Sequence, residues 1–193
     1  VVDVSNPLFP IQISTASTGS GNPYSIYVYG RYAYVTAISG ANSATLAIFD
    51  ISNPGTPVLL SNLGGGTTNI ARSVFVSGGY AYLPIYGNIS GGGTTMKVVD
   101  ISNPRSQTSL ATTEVGMNPS SIFVSGRYAY VANYTGNTLQ IFDVKGAYGP
   151  SLVGSIATAV NPRSLYVVGG YAYVAAYTGD TLQVFDISNP ADI

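Results

Sequence analysis

The tripeptide Tyr-Ala-Tyr returns four times in this chain, at 32–34, 80–82, 128–130 and 171–173. Gly-Arg or Gly-Gly precedes each copy. A hydrophobic run closed by an aspartate follows each: Asp50, Asp100, Asp143 and Asp186, with a fifth such residue at Asp3. Successive copies lie 43 to 50 residues apart. That interval is the length of a four-stranded propeller blade, and no window carries the 3.6-residue period of a helical solenoid. The repeat therefore predicts an all-β fold, a β-propeller of four-stranded antiparallel blades.

The third repeat shows the pattern most clearly. Residues 121–125 read as strand A, Gly126-Arg127 as a two-residue hairpin, and 128–134 as strand B. Residues 138–144 read as strand C and 151–158 as strand D. Strand B alternates, with Tyr128 and Tyr130 on one face and Ala129 and Val131 on the other. A large face against a small one interdigitates, so the tyrosine stripe reads first as packing between blades. The aspartates Asp3, Asp50, Asp100, Asp143 and Asp186 read as structural turn residues. Such a carboxylate bonds a backbone N–H two residues on, and the proline that closes Asp-Ile-Ser-Asn-Pro cannot continue a ladder. Lying one per repeat, they should not converge on a metal.

The strands count out unevenly. Residues 1–16 hold strands C and D of a partial repeat; 23–63, 71–113 and 120–158 are full repeats; 163–193 is a repeat lacking strand D. We treat 1–193 as a single propeller domain or segment. A closed four-bladed ring is one outcome. Part of a larger or assembled propeller is another, since an unpaired strand edge is a template for a second chain.

Composition excludes more than it selects. Among 193 residues there is no Cys and no His, so disulfides, thiolate sites and the commonest general base are absent. Glu114 is the sole glutamate, and Asp180 has no second acid argued to be near it, so paired-carboxylate hydrolysis has no support. Only 8% of residues are charged and the net charge is −1, which gives no electrostatic footprint for nucleic acid and favours association. No apolar run is long enough for a membrane span, and no signal peptide is present in this segment.

The segments Thr138-Leu-Gln-Ile-Phe-Asp143, Thr181-Leu-Gln-Val-Phe-Asp-Ile-Ser-Asn-Pro190 and Met96-Lys-Val-Val-Asp-Ile-Ser-Asn-Pro104 resemble the LVIVD-repeat family of β-propellers. A more distant similarity is to YVTN-type surface-layer propellers. The resemblance implies a secreted or cell-surface bacterial or archaeal repeat protein, with no catalytic residues to carry over. Pro84 in strand B, and the longer turns at Ala37–Ser43 and Gly87–Gly93, depart from the pattern.

Candidate binding residues fall on loops. The residue before the constant serine at the start of strand A varies as Tyr24, Arg72, Ser120 and Arg163. If strand A is innermost, these four ring one channel mouth, where a carboxylate, phosphate or sugar could be held. Tyr86, Tyr134 and Tyr177 end strand B and offer a glycan platform or, more plainly, strand-end packing. Asn88-Ile-Ser90 and Asn133-Tyr-Thr135 match the N-glycosylation pattern. The expectation is a non-enzymatic extracellular structural or adhesion module with a protein partner or itself as partner, without cofactor or metal. The alternative is a soluble propeller binding a small anionic ligand or glycan at the channel mouth.

Overall fold

A computed structural model describes residues 1–19, 21–39, 43–64, 69–87, 94–146 and 149–193. Asn88-Ile-Ser90, and the inner parts of the two longer turns, lie outside them. All regular elements among the described residues are strands.

Strand β1 (Val2–Asp3) pairs with β2 (Ile11–Gln12) over two residue pairs, within the 1–16 expected to hold strands C and D. The first blade is β3 (Asn22–Tyr29), β4 (Tyr32–Ser39), β5 (Ser43–Asp50) and β6 (Val58–Gly64). In the second, strand A is split into β7 (Asn69–Ala71) and β8 (Phe75–Ser77), followed by β9 (Tyr80–Gly87), β10 (Thr95–Asp100) and β11 (Thr108–Glu114). The split lies across from Pro84, which has no N–H to donate to a ladder. The third is β12 (Pro119–Ser125), β13 (Tyr128–Asn133), β14 (Thr138–Asp143) and β15 (Ser151–Ala157), close to the boundaries expected. The fourth has three strands only, β16 (Pro162–Val168), β17 (Tyr171–Ala176) and β18 (Thr181–Asp186).

Blades stack large face on small face. Tyr82, Met96 and Val98 of the second blade pack on Ala129, Val131 and Phe142 of the third. Tyr130, Leu139 and Ile141 on the third blade's other face pack on Leu165, Ala172 and Val174 of the fourth. The A strands are innermost. Their aromatic side chains form a continuous ladder, Tyr27 to Phe75 to Phe123 to Tyr166, with ring centroids 4.6, 4.7 and 4.9 Å apart. Such tilted contacts add to the apolar burial.

Two of the outer D segments fasten to the turn of the next blade. Ser14 Oγ donates to the Pro54 carbonyl at 2.6 Å and Ser61 Oγ to that of Pro104 at 2.5 Å. The corresponding residue of the third blade is Gly154, where a Cβ would run into the Pro190 carbonyl oxygen. The Ser14 bond sets β1–β2 beside the first blade, as the outer half of a blade preceding it.

The aspartates hold the turns. Asp3, Asp50, Asp100, Asp143 and Asp186 each accept a backbone N–H two residues on, from Ser5, Ser52, Ser102, Lys145 and Ser188, at 2.8 to 3.0 Å. Arg31 and Arg127 additionally form ion pairs with Asp50 and Asp143. The Arg31 guanidinium, with the Ser52 hydroxyl and N–H, holds the Asp50 carboxyl far below the ordinary range.

Candidate functional site

A single backbone irregularity builds the site. Where strand A meets strand B the register slips by one residue: between Pro23 and Ser25, Pro119 and Ser121, and Pro162 and Ser164. The residues left over are Tyr24, Ser120 and Arg163. In the second blade the same one-residue offset separates the pair Ala71–Ile85 from Phe75–Tyr82, and Arg72 falls in the gap. A β-bulge kinks its strand and turns a side chain off the ladder. Asn118 and Asn161, which precede the bulges, carry positive φ of 53° and 60°, as the tight entry requires.

Four bulges on four innermost strands bring these side chains together. Tyr24, Arg72, Ser120 and Arg163, one from each blade, line a half-open cavity of about 170 Å³. The arginines are braced from behind. The Arg72 guanidinium lies 3.8 Å from the Tyr86 ring centroid, and that of Arg163 lies 4.9 Å from Tyr177. The Arg72 Nε–H is buried and has no hydrogen-bond partner. No acid lines the cavity.

Not every candidate joins in. Ser120 is 7% exposed, and its hydroxyl is engaged by the carbonyls of Pro162, at 2.7 Å, and Ala132, at 3.2 Å. It forms the floor and ties two blades together, with no proton left for a ligand. Tyr134 is not part of the lining. Its backbone N–H donates to Asn118 O at 2.9 Å, and its carbonyl accepts from Asn161 Nδ2 at 3.0 Å. Thus Tyr86 and Tyr177 act as supports and Tyr134 as loop scaffold, because only the second and fourth repeats supply an arginine to stack.

The Asn133 glycosylation triplet is ruled out by burial. Asn133 is 0% exposed, and its Nδ2 donates to Thr138 Oγ1 and Gln140 Oε1, both at 3.0 Å. Gln140 also accepts the Gly116 N–H at 2.7 Å, and Gln183 does the same for Ala159 at 2.6 Å. The glutamines of the Thr-Leu-Gln segments therefore clamp the loops that lead to strand A. Sequence reading missed this role; their recurrence at the same place in two repeats was the available signal. Glu114 accepts from the Thr94 hydroxyl at 3.0 Å. Among the described residues no three acids gather in a way that could hold a metal ion, and no helix is long and apolar enough to cross a membrane.

The LVIVD repeat model matches residues 20–63, 69–112, 118–158 and 161–193, nearly the whole length. The chain belongs to the LVIVD-repeat family. No curated protein matches it. Among solved structures it is similar to the computationally designed Ika4 protein, at 15% identity and a TM-score of 0.68, with 91% of this chain and 97% of that one covered. The designed Ika8 protein gives 15% identity and a TM-score of 0.62 over 86% of this chain and 46% of that one. The periplasmic gluconolactonase of Pseudomonas aeruginosa gives 17% and 0.70 over 86% and 53%. The LVIVD chain thus spans about half the length of the last two. At such identities the likeness shows the fold alone, an all-β propeller.

Proposed function

We propose that this LVIVD-repeat chain is a non-enzymatic extracellular or cell-surface module that works by protein–protein association, its terminal blades docking on those of a second copy. The observation that carries this reading is the match between its two end faces. The fourth blade leaves its large face bare: Leu182 is 70% and Val184 54% exposed, and Tyr166 and Tyr171 are exposed beside them. Their counterparts in the third blade, Leu139 and Ile141, are fully buried. The first blade's small face, Ala33, Val35 and Phe49, is buried but loosely covered, under an apolar cavity of about 240 Å³ that Val1, Ala16 and Thr18 of the N-terminal segment also line. In the third blade the counterparts Ala129, Val131 and Phe142 are covered by Tyr82 and Met96. A tyrosine-bearing strand from another blade is what this cavity lacks.

The strand edges agree. The outer edge of β18 is unpaired, and β1 holds β2 through two residue pairs. In a second copy, β18 can displace β1 and take β2 as the fourth strand of its blade. Each chain then contributes three complete blades and a composite one, and reciprocal docking of two chains closes a ring of eight. An extracellular setting and the absence of catalysis rest on the family resemblance, the 8% charged composition, and the lack of His and Cys.

Light scattering across a concentration series, with negative-stain images of each species, tests the reading. A discrete two-chain ring or a head-to-tail ladder is expected. A single chain at every concentration overturns it.

A further inference from the structure

We propose that the channel mouth is an oxyanion site, in which Arg72 and Arg163 hold the carboxylate or phosphate group of a small molecule. This goes beyond association and does not depend on it, since all four lining residues belong to one chain.

How this protein places its other arginines is the first argument. Arg31 and Arg127 stand on hairpins, and each is paired with an aspartate of its own blade, while Arg105 lies exposed on the turn after β10. Arg72 and Arg163 form no ion pair among the described residues, yet both line one cavity of about 170 Å³ with no acid in its wall. Two like charges on one small cavity repel unless an anion lies between them. In a chain with seven basic residues, that convergence is not a solvated surface scattering.

The second argument is geometric. A guanidinium stacked on an aromatic ring has its face occupied and its N–H edge free, and that edge matches the two oxygens of a carboxylate or phosphate. Arg72 on Tyr86 and Arg163 on Tyr177 are both held this way. The buried, unpartnered Nε–H of Arg72 is the donor for which an acceptor is missing. The Tyr24 hydroxyl supplies a further donor at the rim, where the residue is half exposed. Ser120, its proton already used, closes the floor. The bulges set where all four side chains leave the backbone, and stacking on Tyr86 and Tyr177 holds the two arginines before any ligand arrives, so little ordering of them is needed on binding.

The test is titration of the whole chain in Tris chloride, separately with inorganic phosphate and with succinate, followed by calorimetry and by the arginine Nε–Hε resonances. Saturable binding of at least one probe is expected, with the Arg72 and Arg163 signals moving and those of Arg31 and Arg127 still. Phosphate alone or succinate alone would name the group that the ligand carries. Arg72→Ala with Arg163→Ala should weaken binding by roughly ten-fold or more, while Arg31→Ala with Arg127→Ala, an equal loss of charge, leaves it within about two-fold. Arg72→Lys with Arg163→Lys keeps charge and stacking bulk and should still bind more weakly, because the planar fork is gone. Thermal melts establish that each variant is folded. No saturable binding of either probe, or equal weakening by the two alanine pairs, overturns the proposal.

Discussion

Replacing Leu182 and Val184 together by lysine strikes the docking face without touching the folded chain. Both side chains stand on β18 with 70% and 54% of their surface open, so the isolated protein loses little packing. In the assembled state they should become as buried as Leu139 and Ile141, which are 0% exposed. Full burial of such a side chain contributes about 1.5–3 kcal/mol. Scaled by the exposed fractions, the pair contributes about 2 to 4 kcal/mol per interface, and the added ammonium groups bring a desolvation cost on top. At about 1.4 kcal/mol per decade, the association constant should fall by roughly twenty-fold to several hundred-fold. Sedimentation velocity over a concentration series reads that shift as a rise in the midpoint of assembly, while the urea midpoint of the single chain stays put. An assembly midpoint identical to that of the parent chain would refute the assignment of this face.

Three further outcomes follow from polar groups in the blades and their turns. The Thr36 hydroxyl is fully buried without a partner, and the third repeat has Ala132 in its place, so Thr36→Val should stabilise the protein by about 1 kcal/mol. A rise of roughly 2–4 °C in Tm would show it, and a fall would mean that the hydroxyl is satisfied. The turn aspartates have carboxyls lowered in the folded state, by the Ser102 hydroxyl and N–H at Asp100 and chiefly by Arg31 at Asp50. Their contribution is therefore present above the ordinary value of 3.8 and lost as pH falls through the lower folded value, so the stability gap between parent and Asp100→Asn should close below about pH 4. Carboxyl NMR titration of Arg31→Ala should bring Asp50 up toward Asp100; an unmoved Asp50 would show that the ion pair is not the cause.

What the sequence shows plainly is what repeats locally. Alternation in Tyr-Ala-Tyr-Val placed the tyrosines and the alanine and valine on opposite faces, and Tyr130 and Val131 do pack against different blades. The aspartate turns need only a carboxylate and the N–H two residues later, both visible in the chain. The bulges were out of reach, because a register slip is a property of two strands and depends on where strand B pairs. Without the slip, Tyr24, Arg72, Ser120 and Arg163 are only four variable positions; with it, they share a cavity. The bonding of Ser120 within that cavity was hidden for a related reason. Its hydroxyl is consumed by Pro162 of the neighbouring blade, 42 residues on, and a single repeat holds no trace of that contact. Asn133 likewise becomes inaccessible only once Thr138 and Gln140 close over it.

The alternation of arginines between hairpin and mouth has a backbone cause at one of its two ends. In the second and fourth repeats the hairpin is Gly-Gly and both residues have positive φ: Gly78 and Gly79 at 59° and 83°, Gly169 and Gly170 at 59° and 82°. A side chain at the second position would be strained. In the first and third repeats only Gly30 and Gly126 are positive, both at 59°, and the next residue is free to be the arginine that neutralises Asp50 or Asp143. The Gly-Gly repeats lose that ion pair and leave Asp100 and Asp186 to the N–H and hydroxyl groups of Ser102 and Ser188. Those same two repeats carry Arg72 and Arg163 at the opposite end of strand A. Each repeat thus has one arginine at these two positions, spent on the turn in the odd repeats and left unpaired at the channel mouth in the even ones. Turn stability does not require Arg72 and Arg163, since their own turns close without them. Beyond their stacking on Tyr86 and Tyr177, the placement of both at one uncompensated mouth is what the proposed anion would account for.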